Sequence, residues 1–192
     1  MRKTTTLLFA TLTLITLAAC RSGTNAQVQS AVSQTSMASS GAGMNQLTDA
    51  DAGAVARTIN DGEIQTSQVA LTNATSQQVR DFAQMMIDDH TNANKQLQAN
   101  GYVMHENPVT MVLNADVNRR LGDLRGRSGS DFDRHYIAHQ IDLHQTALET
   151  LRTTLQPSAR EENLRQTLNV MRQSVEMHLE QARAIQAQIG GR

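Results

Sequence analysis

Residues 164–189 are LRQTLNVMRQSVEMHLEQARAIQAQI, in which Leu164, Leu168, Met171, Val175, His178, Ala182, Ile185 and Ile189 recur at steps alternating between four and three. An α-helix turns once in about 3.6 residues, so this spacing brings all of them onto one face. The stretch therefore predicts a long amphipathic helix running from the turn at Pro157 and Ser158 to about Ile189. One member is out of character. His178 places an imidazole where the stripe expects an apolar side chain.

Outward from this helix the same periodicity recurs three times, with almost no strand signal between. A first helix is expected from about Thr48 to Asn73, with Val55, Ile59, Thr66 and Ala70 on one face. Thr75 or Ser76 is positioned to cap a second helix, and Thr75-x-x-Gln78 fits a capping box. That helix carries Val79, Phe82, Met86, Ala93 and Leu97 and stops at Gly101. A third begins near Ser130, with acidic Asp133 in its first turn, and carries Ile137, Ile141, Leu148, Leu151 and Leu155 inward.

The connection 101–130 is long. It contains Pro108, one short helix expected from about Ala115 to Leu124, and the glycine-rich Gly126–Gly129. Two short turns flanking one long crossover predict an all-α, ferritin-like four-helix bundle, the crossover joining helices 2 and 3. An up-down bundle with a loose middle loop has the same order of elements.

Ahead of the bundle the chain reads MRKTTTLLFATLTLITLAAC. Arg2 and Lys3 precede an apolar run from Leu7 to Ala19, shorter than the ~20 residues a membrane-spanning helix needs. This is a secretory signal pattern, and Leu17-Ala18-Ala19-Cys20 resembles a bacterial lipobox, so residues 1–19 are expected to be a signal peptide cut before a lipidated Cys20. No second cysteine exists for a disulfide. Arg21 stands where an inner-membrane retention signal would place Asp, which points to the periplasmic face of the outer membrane. Residues 20–46 are rich in Ser, Ala, Gly, Gln and Thr and are expected to be a flexible tether, leaving 47–192 as the bundle domain.

Removing Arg2 and Lys3 leaves 15 basic against 18 acidic side chains, a net charge of −3. With that balance, no Trp and only 3% aromatic residues, nucleic acid is not an expected partner. The membrane, through the lipid anchor, is the expected one.

His178 has counterparts. His90 lies on the stripe of the second helix and His144 on that of the third, one turn from the inward positions around it. Glu63 lies four after Ile59 on the first helix. Burying an unpaired ionisable group is costly, so such groups pair, shift their pKa or bind metal. Glu63, His90, His144 and His178 are thus candidate ligands of a transition metal, with iron, zinc and copper all compatible with imidazole and carboxylate donors.

The levels of these residues test the idea. Reflection through a turn at residues 74–75 sets Glu63 about 6 Å from the level of His90, at 1.5 Å per residue. Reflection near Pro157 sets His178 opposite Tyr136 and about 12 Å from the level of His144, a gap that a longer or asymmetric turn over residues 155–162 would close in part. On that reckoning Asp133 and Tyr136 are closer core partners of His178. A structural polar network of Glu63, Asp133, Tyr136 and the histidines is the competing explanation. His135 and His139 also stand one helical turn apart, at metal-clip spacing, nearer the edge of their stripe. Met85, Met86, Met171 and Met177 suit core packing better than soft copper ligation.

The segments EIQTSQVAL, VRDFAQMMIDDHTNANKQL, FDRHYIAHQIDLHQTALE and MRQSVEMHLEQA resemble the bacterial envelope family known as domain of unknown function 4142. The resemblance covers about residues 47–187, most specifically Asp89-His90, Phe132-Asp133-x-x-Tyr136, His144 and His178. It implies an outer-membrane or periplasmic protein of the ferritin-like superfamily, a family with no established activity. The Glu-x-x-His signature of di-iron bundles is absent, since Ile87, Ile141 and Val175 stand three residues before the histidines. The expectation is a non-enzymatic envelope lipoprotein with a metal-binding core. A purely structural or interaction protein and a metal-dependent redox enzyme are the alternatives.

Overall fold

The computed structural model describes residues 47–190, and all regular structure among them is helical. The signal peptide, Cys20 and the tether lie outside the described residues. Helix α1 spans Asp49–Asn73, α2 Gln77–Ala99, α3 Pro108–Arg125, α4 Gly129–Thr150 and α5 Glu162–Gly190. The long helices α1, α2, α4 and α5 form the bundle, and α3 lies in the crossover against α1 and α4.

Local chemistry explains most of the boundaries. Thr48 and Asp51 cap each other's backbone at the start of α1, a reciprocal capping box. α2 ends where Gly101 takes φ +86° and the N–H groups of Gly101 and Tyr102 return to the carbonyls of Gln98 and Leu97. That left-handed turn suits glycine.

Three expectations are corrected. The crossover helix begins at Pro108 rather than near Ala115. Asn107 accepts the N–H groups of Val109 and Thr110, and Pro108 sits at the first helical position, where a missing N–H costs nothing. The capping box expected from Thr75 and Gln78 does not form, and Ser76, the N-cap residue, makes no side-chain cap. Asp133 of α4 supplies the cap instead, accepting the N–H groups of Thr75 and Ser76 at 2.9 Å each and the Thr75 hydroxyl at 2.5 Å. The turn expected at Pro157 and Ser158 comes later. α4 runs through a π-helical turn at Leu151–Leu155 into Gln156–Ser158, so the chain reverses only at residues 159–161.

α1 is buried more broadly than its weak amphipathicity suggests, because α3 covers a face that a four-helix bundle would leave wet. Two glycines let the crossover pack this closely, Gly53 beneath Tyr102 ahead of α3 and Gly62 beneath α3 itself. A Cβ on Gly53 would lie 2.6 Å from Tyr102 Cβ, and one on Gly62 would lie 2.5 Å from Val117 Cγ2. Arg120 of α3 is buried between Asp116, at 2.6 Å, and Asp142 of α4, at 2.9 Å, tying the crossover to the bundle.

The core divides into two apolar clusters. One gathers Val55, Leu97, Leu155, Leu164, Leu168 and Val175. The other gathers Val79, Phe82, Met86, Phe132, Ile137 and Ile185. Between them lie buried polar groups on all four bundle helices: Asn60 and Glu63 on α1, His90 on α2, Gln140 and His144 on α4, and His178 on α5.

Candidate metal centre

The stripe positions of α2, α4 and α5 carry His90, His144 and His178 to one point. Their ring centroids are 6.1 Å apart for His90 and His144, 5.5 Å for His90 and His178, and 5.4 Å for His144 and His178. Each ring can offer a nitrogen such that the three lie within 4.8 Å of one another. All three residues are at most 5% exposed.

The later reversal of the chain accounts for this meeting. His144 and His178 lie the same number of residues on either side of Glu161, at the end of the turn. Reflection at Pro157 therefore misplaced the levels, and the expected pairing of His178 with Asp133 or Tyr136 is overturned. Asp133 serves as the cap of α2. The Tyr136 hydroxyl is 2.8 Å from that of Ser67, and the Tyr136 ring packs between Phe82 and Phe132 in the apolar cluster beyond the polar layer.

Each histidine uses one ring nitrogen to hold its orientation. Nε2–H of His178 donates to Asp89 at 2.8 Å. Nδ1–H of His144 donates to the Gln140 carbonyl, four residues back on the same helix, at 2.8 Å. Nδ1 of His90 is 2.9 Å from Asn60 Oδ1. The direction there follows from a short relay: Asn60 donates its amide to Asn94, which donates to the Asp61 carboxylate. A carboxylate only accepts, so Asn60 Oδ1 is the acceptor for His90 Nδ1–H.

The remaining nitrogens, His90 Nε2, His144 Nε2 and His178 Nδ1, are buried without a hydrogen-bond partner. Burial holds all three imidazoles below their ordinary pKa, His144 at about 4, and the other rings add to the effect on His90. The rings are therefore neutral at pH 7, and each presents a lone pair on its unpartnered nitrogen. Divalent transition metals are bound by such neutral imidazoles, whose outer N–H groups are anchored to carboxylate, amide and carbonyl oxygens that fix the rings.

Glu63 adjoins this set without joining it. Its carboxylate accepts from Gln140 Nε2 at 2.9 Å and lies 3.7 Å from His144 Nδ1, the proton-bearing side of that ring. Burial raises its pKa to about 7, against the opposing pull of Gln140 and Arg120. Of the four ligands expected from sequence, three bring one ring nitrogen each within 4.8 Å of the others, and Glu63 backs one of them.

His135 and His139 are 6.5 Å apart and make no third-ligand cluster among the described residues. The adjacent carboxylates of Asp123 and Asp131 are both paired with Arg127, whose charge opposes a bound cation. Met86 and Met171 pack in the apolar clusters, while Met177 is half exposed.

Asn60 and Gln140 escaped the sequence reading. Gln140 lies one turn before His144 and Asn60 one turn before Glu63, so helical spacing from the candidates locates both. Their amides carry no sign in a hydropathy pattern that separates them from surface residues.

Fold and centre together define an all-helical bundle with a buried tri-histidine cluster. The profile of the family described as a domain of unknown function, DUF4142, matches residues 33–185, and the chain belongs to that family. No curated protein and no solved structure matches the chain.

Proposed function

We propose that this protein is a lipid-anchored helical bundle of the bacterial cell envelope that binds one divalent transition-metal ion through His90, His144 and His178. The observation that carries the reading is the meeting of three buried imidazoles, each with one nitrogen anchored and the other buried without a hydrogen-bond partner. Leaving three such acceptors unsatisfied costs about 1–3 kcal/mol apiece, and a shared metal ion answers all three at once. Nitrogen donors suit iron, zinc and copper alike, with affinity rising toward copper.

Residues 21–192, which retain every described helix, provide the test. After exposure to iron, zinc and copper salts and desalting, metal is counted against protein. One equivalent in the parent chain, lost in His90→Ala, His144→Ala and His178→Ala, supports the site. A parent chain that retains no metal, with the three variants merely less stable, sinks it in favour of a purely structural polar layer.

The envelope assignment rests on Leu17-Ala18-Ala19-Cys20. No described helix is long and apolar enough to cross a membrane. Several acyl chains on Cys20, each buried methylene contributing about 0.8 kcal/mol, would hold the bundle at a membrane surface. Metabolic labelling with a fatty acid, compared between the full chain and Cys20→Ser, checks it. An unlabelled full chain overturns the anchor.

A further inference from the structure

We infer that the metal held by His90, His144 and His178 keeps one coordination position open toward a cleft between α2 and α5, where it takes a small uncharged donor molecule from solvent. The inference rests on the metal-binding reading and adds what the fourth position faces and accepts.

Three imidazoles leave a tetrahedral ion one ligand short, the arrangement of metal sites that bind an exogenous molecule. The surroundings differ by direction. His144 and Glu63 border an enclosed cavity of about 10 Å³, otherwise largely apolar, with room for about one water-sized sphere. On the other side, His90, His178 and Asn60 border a cleft of about 180 Å³. Exposed Asn92 and Gln96 on α2 and half-exposed Val170 on α5 form part of its wall, so the cleft reaches the surface. His90, Asn60, Met171 and Val175 border both spaces, so the cleft adjoins the cavity beside the histidines.

The chemistry of the wall selects the ligand. Asn92, Gln96 and Ser174 offer uncharged amides and a hydroxyl, while the Asn60 amide is held by His90 and Asn94. Its one carboxylate, Asp89, is engaged by His178, and no Lys or Arg lines the cleft. The wall thus hydrogen-bonds a neutral polar molecule, and the one positive charge an anion would meet there is the metal's own, offset in part by the Asp89 carboxylate. The volume admits a few water molecules or one compact ring.

The probe is imidazole, added to residues 21–192 carrying one equivalent of Co(II), whose visible bands report coordination number. The expected result is a saturable band change with cobalt retained on the protein after desalting. Ser174 lies one turn before His178 on α5, so Ser174→Phe narrows the cleft above that ring. We expect that variant to bind one Co(II) and to need about tenfold more imidazole, the scale of an overpacking cost. Gln96→Phe, on the α2 wall, provides a second obstruction should Ser174→Phe fail to fold.

Several outcomes overturn the inference while leaving the metal site standing. These are cobalt bands indifferent to imidazole, cobalt stripped rather than retained, or an unchanged imidazole response in the folded obstructed variants. A parent chain that takes up no Co(II) overturns the metal site itself, and the open position with it.

Discussion

His144 and His178 face each other across α4 and α5 with ring centroids 5.4 Å apart, although a simple turn at Pro157 would have set Tyr136 opposite His178. The π-helical turn at Leu151–Leu155 and the helical residues after it carry the reversal beyond Pro157. An irregularity at one end of a hairpin thus sets which side chains meet in its middle. Such π turns often accompany functional sites.

The outer partner of His178 is expected to tune the metal. Asp89 is only partly buried, with a side chain 38% exposed, so Asp89→Asn should fold normally. It exchanges an anionic acceptor for an amide, and metal affinity should fall by about 10–100-fold, the usual effect of losing such a partner. Competition against a chelator of known affinity measures it. Unchanged affinity would separate Asp89 from the site.

Acid should destabilise the metal-free bundle through its histidines. Burial depresses His90, His139, His144 and His178, so the unfolded chain binds more protons than the folded one below the unfolded value of about 6.5. Their contribution is whole above pH 6.5 and declines as pH falls through the folded values, about 4 for His139 and His144. Glu63 opposes this. Its pKa is raised from 4.5 to about 7, so it favours the folded state at low pH and loses that contribution as pH rises to 7. Glu63→Gln should therefore show a steeper fall in stability between pH 6.5 and 4.5. Urea midpoints across that range decide it, and parallel curves would show that Glu63 does not titrate there.

The cap donated by Asp133 should matter for stability alone. Its carboxylate holds two backbone N–H groups and a hydroxyl at the start of α2. Asp133→Ala should cost about 2–4 kcal/mol, the scale of losing charged hydrogen bonds and orphaning backbone donors. Metal stoichiometry of the folded fraction should not change. Chemical denaturation and metal counting on the same preparation separate the two effects, and a loss of metal with full stability would contradict the assignment.

Gly62 should resist even alanine. The new Cβ would lie 2.5 Å from Val117 Cγ2, so α1 and α3 must separate or Val117 must move. A cost of about 1–3 kcal/mol is expected. Val117→Ala, which removes that methyl group, should recover part of it in the double variant. Additive losses in the thermal midpoints would mean that the contact is not the cause.

Much of the bundle was legible in the chain. The stripes of α2 and α5 were nearly complete in sequence, because a helix repeating its apolar residues at 3.6-residue intervals has one way to bury them. α1 was harder. Its buried face includes Asn60, Ser67 and two glycines, and small or polar residues give little hydropathy contrast. On α4 the inward face centres on Tyr136, Gln140, His144 and Ala147, with Ile141 and Leu148 only partly buried, so the aliphatic pattern pointed slightly to one side.

The sequence by itself determined the helices, their order, the long crossover and the inward facing of His90, His144 and His178, since these follow from periodicity and turn residues along one chain. Only the tertiary structure decided the levels at which the helices meet. That placed the three histidines together, moved Asp133 to the start of α2 and left Glu63 behind His144. Axial register depends on where each turn reverses and on which side chains pack across it. A π turn or a cap borrowed from another helix shifts that register by ångströms while leaving the hydropathy pattern of each helix unchanged.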